Sequence, residues 1–312
     1  MRKISALLLV LLMIAGCEYA TDREDADEYY RSGTQGLQIN FMPNMPLSEM
    51  YDDEPFNVIV EVYNRGATDI ETGSNSRMFI SGFDPTIIMG IENDGEVIAP
   101  LEGKTMYNNR GEYTPIEFSG TVANLEVKNI DNYEFNLVAT ACYDYQTIAE
   151  PSVCIDPEPY ATSDRNKACD ANLDPSLGSQ GAPVQISAVE VEALKGRTKF
   201  RIRVNNVGGG TVFKDGFSYL DRCSPYDGDG LEYTDVDYLK VSEVRVSNTD
   251  ITSTCKPLKQ GELRLVDGRG EFICELTNLQ GPAYTTPLRI TLDYGYRTTT
   301  IKPIKIISTP ES

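Results

Sequence analysis

The sequence predicts an all-β chain of two tandem β-sandwich units, and three observations predict it. Short runs of alternating apolar and polar residues recur along the chain, with turn-forming residues between them. No amphipathic helical run of two or more turns stands out. The chain also repeats itself, with three matches in the same order.

The first match pairs Phe56–Gly66 (FNVIVEVYNRG) with Thr198–Gly208 (TKFRIRVNNVG). Both alternate as a half-buried strand does and end in Asn-x-Gly, a turn signal. The second pairs Arg110-Gly111-Glu112-Tyr113 with Arg269-Gly270-Glu271-Phe272, each opening a strand after a turn. The third pairs Leu137–Thr147 (LVATACYDYQT) with Leu288–Thr298 (LRITLDYGYRT), both with Tyr-x-Tyr late in a strand and a second strand after it. The partners lie 142, 159 and 151 residues apart, so insertions separate the copies. Strands are expected near 37–42, 56–63, 77–81, 87–91, 113–119, 134–143 and 151–156 in the first unit. In the second they are expected near 184–192, 198–206, 217–220, 237–246, 262–266, 270–276, 287–295 and 300–307. The units span 36–160 and 183–308, joined by a linker at 161–182 that Cys169 staples to one of them.

Composition narrows the function. The 312 residues include no His and no Trp, and their formal net charge is −19. Without His there is no Ser-His-Asp triad, no Cys-His pair and no imidazole metal ligand. The acidic balance argues against nucleic acid, whose phosphates need a Lys/Arg surface. No Asn-x-Ser/Thr sequon occurs.

The first residues read as an address. Arg2 and Lys3 precede an apolar run from Ile4 to Ala15, the signal-peptide pattern and too short for a spanning helix. The run ends Ile14-Ala15-Gly16-Cys17, which resembles the lipobox of prokaryotic lipoproteins. That resemblance implies a signal peptide at 1–16 and a lipid on Cys17, the new N-terminus. An ordinary cleaved signal peptide or an uncleaved anchor are the alternatives. Loss of 1–16 takes the net charge to −21. Residues 17–35 then form an acidic tether.

Six cysteines remain: Cys142, Cys154, Cys169, Cys223, Cys255 and Cys274. An even number fits disulfides in an oxidising compartment, and no C-x-x-C pair favours zinc or a redox dithiol. Cys142–Cys154 is the favoured bridge because the two flank one short hairpin. Cys223–Cys255 is second, leaving Cys169–Cys274.

The order of alternating strand, Asn-x-Gly, further strands and a closing hairpin resembles the immunoglobulin-like modules of prokaryotic surface proteins, the CARDB type among them. The second unit, with APVQISAVEV, VNNVGGGTVF and LDYGYRTT, is also similar to tandem-domain surface proteins of archaea. The resemblance implies sandwiches used for adhesion, spacing or presentation, and brings no catalytic residues.

Candidate sites are few. Asp227-Gly228-Asp229-Gly230, followed by Glu232 and Asp235, begins like a calcium loop. Position twelve is Tyr238 rather than Glu, so a solvated acidic turn is the competing reading. Tyr143, Tyr145, Tyr294 and Tyr296 suit core packing better than a sugar platform. Gly208-Gly209-Gly210 reads as a turn, Tyr29-Tyr30 as spacer, and Asp52-Asp53-Glu54 as a solvated loop. The expected function is a non-catalytic, lipid-anchored, extracytoplasmic adhesion or spacer protein with a protein or surface-polymer partner. A calcium-dependent glycan binder is the alternative, and a carboxylate-based hydrolase a remote one.

Overall fold

The computed structural model describes residues 30–52, 54–161, 167–226 and 228–309. The signal segment, Cys17, Tyr29, Asp53 and Asp227 lie outside these residues.

The described chain is all-β, with sheets that are antiparallel except where Glu49–Tyr51 pairs in parallel with Lys305–Ile307, and one short helix. The first half contains β1 (Leu37–Phe41), β2 (Glu49–Tyr51), β3 (Pro55–Asn64), β4 (Arg77–Ser81), β5 (Ile88–Met89), β6 (Glu96–Val97), β7 (Tyr113–Val122), β8 (Asn132–Ala149) and β9 (Ser152–Ile155). The second contains β10 (Val184–Leu194), β11 (Arg197–Asn206), β12 (Thr211–Phe213), helix α1 (Phe217–Arg222), β13 (Tyr238–Val246), β14 (Thr249–Asp250), β15 (Glu262–Arg264), β16 (Arg269–Thr277) and β17 (Tyr284–Ile307).

Three sheets result. Two small ones, β1-β3-β7-β5 and β10-β11-β16, belong one to each half. The third has ten strands and belongs to both, with β14-β13-β17-β8-β4-β6 as its backbone order. Its centre is the antiparallel pair β8–β17, in continuous register from Asn132↔Ile307 to Ala149↔Ile290. These are the two strands that carry the repeated Tyr-x-Tyr. Asp144 faces Gly295, its own repeat counterpart, with Tyr143 opposite Tyr296 and Tyr145 opposite Tyr294. A pseudo-two-fold axis therefore passes between Asp144 and Gly295.

This corrects the expectation of separate sandwiches at 36–160 and 183–308. Each half keeps its own small sheet, but both small sheets pack on one face of a shared large sheet. The reason is strand length. The segments expected at 287–295 and 300–307 are one 24-residue strand, and the one expected at 134–143 runs on to Ala149. A strand that continues past its own sandwich must pair beyond it or leave backbone polar groups open. Another difference lies at 217–220, expected as a strand. It is helical, and only Leu220 of that helix is buried.

The inward face follows the period-two rule. Phe56, Val58, Val60 and Val62 of β3, and Phe200, Ile202 and Val204 of β11, are buried within one continuous apolar core. A second cluster on the outer face joins Phe79, Cys142, Phe213, Leu220 and Cys223 under α1.

Three disulfides lock this arrangement: Cys142–Cys223, Cys154–Cys169 and Cys255–Cys274. All three expected pairings are corrected. Cys142 lies mid-strand on the outer face, where α1 brings Cys223 to a Cα–Cα distance of 6.2 Å. Cys154 does not share a hairpin with it, because β9 pairs with β17. Instead the linker folds back so that Cys169 reaches Cys154. Three disulfides mark an oxidising, extracytoplasmic environment.

Candidate functional site

The repeated tyrosines converge on the pseudo-two-fold axis. Their four rings form a closed set, with centroids 5.8, 5.9, 6.2 and 6.3 Å apart around it. Every hydroxyl is hydrogen-bonded, and the bonds repeat across the axis. Leu37 N–H donates to Tyr143 Oη (3.0 Å), as Val184 N–H does to Tyr294 Oη (3.4 Å). Tyr143 Oη also lies 3.3 Å from Thr298 Oγ1, and Tyr294 Oη 2.8 Å from Thr147 Oγ1.

Thr68 N–H donates to Tyr145 Oη (3.2 Å), and Gly210 N–H to Tyr296 Oη (2.8 Å). Tyr296 Oη donates in turn to Asn206 Oδ1 at 3.0 Å, as Tyr145 does to Asn64 at 3.5 Å. The Asn-x-Gly motif is explained here. Its Asn binds the tyrosine and closes the turn, donating to Thr68 C=O in one half and Gly210 C=O in the other, both at 2.8 Å. Its Gly makes room: a Cβ on Gly66 would sit 1.8 Å from Tyr145 Oη, and one on Gly208 2.5 Å from Tyr296 Oη. Burial raises the hydroxyl pKa of Tyr143 and Tyr145 far above the ordinary value. The four tyrosines are a structural centre, not a platform open to solvent.

One repeat match needs a shift. Asn64 N–H donates to Glu112 C=O (3.0 Å), and Asn206 N–H to Gly268 C=O (2.7 Å). Glu112 thus corresponds in space to Gly268, not to Glu271.

The symmetry breaks on the outer face of the shared sheet, and the break makes a cleft. A Cβ at Gly295 would lie 2.2 Å from the Phe213 ring, so glycine lets Phe213 seat there. Its counterpart, Asp144, instead lines an open cleft of about 370 Å³ with Asp69, Glu71, Gln146, Asp215 and Asp293. Gly216 N–H donates to Asp144 Oδ1 (3.2 Å), and Gln146 Nε2 to Asp293 Oδ1 (2.7 Å). Burial pushes the Asp144 carboxyl up to about 6, against the bond from Gly216, and the charges of Asp215 and Asp293 add to the rise. Asp215 is raised too, mainly by burial, with Lys240 opposing. Sequence reading missed this cleft, because its acids lie on different strands and loops.

The expected calcium loop is partly committed elsewhere. Asp235, 6% exposed, pairs with Arg222 at 2.8 Å and accepts the Glu232 N–H at 2.9 Å. The Glu232 carboxylate is 3.4 Å from Thr234 Oγ1. Asp229 is described and has its own interactions. Among the described residues, no group of three or more Asp, Glu, Cys or His side chains has metal-holding geometry.

Asp52, expected in a solvated loop, is buried. Its carboxylate accepts Leu125 N–H (2.8 Å), Thr309 N–H (2.9 Å) and the Thr309 hydroxyl (2.5 Å). Burial alone would raise its pKa, but these three bonds together lower it. Gly208-Gly209-Gly210 forms the turn the sequence suggested, with Gly209 at φ 77°.

No protein-family model matches the chain, and no curated protein matches it. Among solved structures, the chain is similar to a serine-rich repeat adhesion glycoprotein of Streptococcus agalactiae. The identity is 10%, the match covers 89% of this chain and 97% of that one, and the TM-score is 0.19. It is also similar to a protein of unknown function from Porphyromonas gingivalis, at 13% identity, covering 88% and 98%, with a TM-score of 0.18. At such scores neither likeness carries an argument about fold or function.

Proposed function

We propose that this protein is a non-catalytic, lipid-anchored scaffold outside the cytoplasm, used for adhesion, spacing or presentation of a binding surface. The observation that carries this reading is the fused architecture. One sheet runs through both halves, a buried tyrosine centre ties them together, and three disulfides lock the outer elements. Such a body resists local opening, which suits a surface exposed to proteases and shear. The two halves are read as descendants of one immunoglobulin-like module of the CARDB kind, duplicated and then merged along β8 and β17.

The start of the described chain supports a tethered body. Lys104 Nζ donates to Ser32 C=O (2.9 Å) from the first half, and Gln185 Nε2 to Gly33 C=O (2.9 Å) from the second. The last residues of the acidic tether are thus held by both halves at their seam. Mass spectrometry of the mature N-terminus tests the anchor. Acylated Cys17 is the expected result, and an unmodified N-terminus beyond position 17 refutes it. Crosslinking from the native cell surface, with the anchored protein as bait, tests the scaffold role. A specific protein or polymer partner is expected, and turnover of a bound substrate would overturn the non-catalytic reading.

A further inference from the structure

A strand edge that no other strand of the described residues pairs with runs beside a wide groove of the second half. β10 is the outer strand of its sheet, bonded on one side to β11. In an antiparallel ladder, successive residues turn their backbone groups to opposite sides. Ile273 of β16 exchanges both its backbone bonds with Lys256 on the far side (2.8 and 2.9 Å). Arg201, opposite Ile273 on β11, therefore directs its own groups toward β10. The alternation then turns the N–H and C=O of Val189, Val191 and Ala193 outward, toward no strand among the described residues.

One end of this edge already holds an amide. Gln180, 5% exposed, donates through Nε2 to Ile186 C=O (2.9 Å) and accepts Ile186 N–H through Oε1 (2.7 Å). Its side chain stands where a peptide group of a next strand would be. At the other end Gly196 N–H donates to Pro157 C=O (2.9 Å). Between them lies a groove of about 1060 Å³, lined by Glu190, Glu192, Lys199, Arg201, Tyr160 and Asp170 among others.

Charge is laid in stripes across the solvent face of this sheet. β16 presents Glu271 and Glu275, β11 presents Arg197, Lys199, Arg201 and Arg203, and β10 presents Glu190 and Glu192. Ion pairs join adjacent stripes, with Arg203 bridging Glu190 and Glu271, and Arg197 meeting Glu275. Glu192 has no ion-pair partner among the described residues. The next stripe in this order is basic.

We propose that the β10 edge binds an extended basic peptide as an added strand, with Lys or Arg opposite Glu190 and Glu192. Main-chain bonds to Val189, Val191 and Ala193 hold the peptide, and the acidic stripe selects its charge. The net charge of −19 steers basic segments toward the protein. A second copy of the chain is a poor occupant. Antiparallel self-pairing about Val191 would set Glu190 against the partner's Glu192, and like charges directly opposite repel.

The proposal takes the binding reading above further and rests on it. Its assay uses the mature chain in solution, so failure of peptide binding leaves the anchored scaffold standing. The probe is a capped peptide of alternating Lys and Val, compared with its Glu counterpart and with a form N-methylated along the backbone. Amide exchange by NMR and anisotropy of labelled peptide give the readout. On saturation, the Val189, Val191 and Ala193 amides should exchange at least tenfold more slowly. The Glu and N-methylated peptides should bind at least tenfold more weakly. Glu192→Lys should weaken binding about fivefold, and Val191→Pro, which removes an outward N–H, should abolish it. If Val191→Pro unfolds the protein, the N-methylated peptide carries that arm. Unchanged exchange at the three amides overturns the proposal, as does equal binding of the N-methylated peptide. Protection of the same amides by self-association without peptide also overturns it.

Discussion

At the residue scale, the protein uses hydrogen bonds where its composition leaves no imidazole. Tyr145 and Tyr296 each close an Asn-x-Gly turn from the opposite sheet, so Tyr145→Phe and Tyr296→Phe should cost similar amounts. Each strands a part-buried backbone N–H, that of Thr68 or Gly210, which costs about 1 kcal/mol, the low end for an unsatisfied donor. Urea denaturation of the two variants checks both the size and the near-equality.

Asp144 acts in the opposite sense. Its folded pKa of about 6 lies above the unfolded value near 3.8, so the folded state binds the proton more tightly. The ionised carboxylate therefore destabilises the fold above about pH 6, and stability rises as pH falls from 6 toward 4. Asp144→Asn should stabilise the protein at pH 7 by about 1–3 kcal/mol. It should also flatten the pH dependence of denaturation across that window; a variant as pH-dependent as the parent would contradict this account. Asp52 has its pKa lowered, so its contribution is present above pH 3.8 and fades below it. For the acidic loop, calcium should leave the melting temperature unchanged, because Asp235 is already neutralised by Arg222. A calcium-dependent rise in the melting temperature would favour the calcium-binding reading.

At the element scale, the long strands were legible, short ones such as β2 were not, and neither were the strands' partners. Alternation marked β3, β11 and β16 close to their limits, because each has one face in the core and one in water. β17 looked like two strands, since polar threonines interrupt its apolar pattern between Arg297 and Ile301. Those threonines, Thr298–Thr300, lie just past the pseudo-two-fold axis and pair with Ala139–Ala141 of β8. The cysteine pairing followed from these partnerships, so it was hidden as well. In the chain-entropy model, Cys142–Cys223, with a separation of 81, stabilises by about 4.5 kcal/mol, and Cys255–Cys274, with a separation of 19, by about 3 kcal/mol. Replacing the first pair by serine should thus cost more than replacing the second, as chemical denaturation can measure. Non-reducing peptide mapping should recover all three bridges as observed.

At the scale of the whole molecule, the shared sheet couples the halves. Two sandwiches joined by a linker would unfold independently, whereas here neither half can open without exposing the β8–β17 pair and the four tyrosines beneath it. Calorimetry should therefore show one cooperative transition with equal calorimetric and van't Hoff enthalpies. Two resolved transitions would mean that the halves are separate folding units.

The sequence by itself determined the all-β class, the duplication, the oxidising compartment and the residues of the repeated motif. These are local or statistical properties, carried by period, composition and count. Only the tertiary structure decided that the repeats share a sheet, which cysteines meet, and where carboxylates gather. The pseudo-two-fold explains why. A repeat records what each half needs for its own turn and core, and those needs are the same in both copies. What the halves do to each other depends on which residues face across the axis, as Asp144 faces Gly295, and no pattern along one strand states its neighbour.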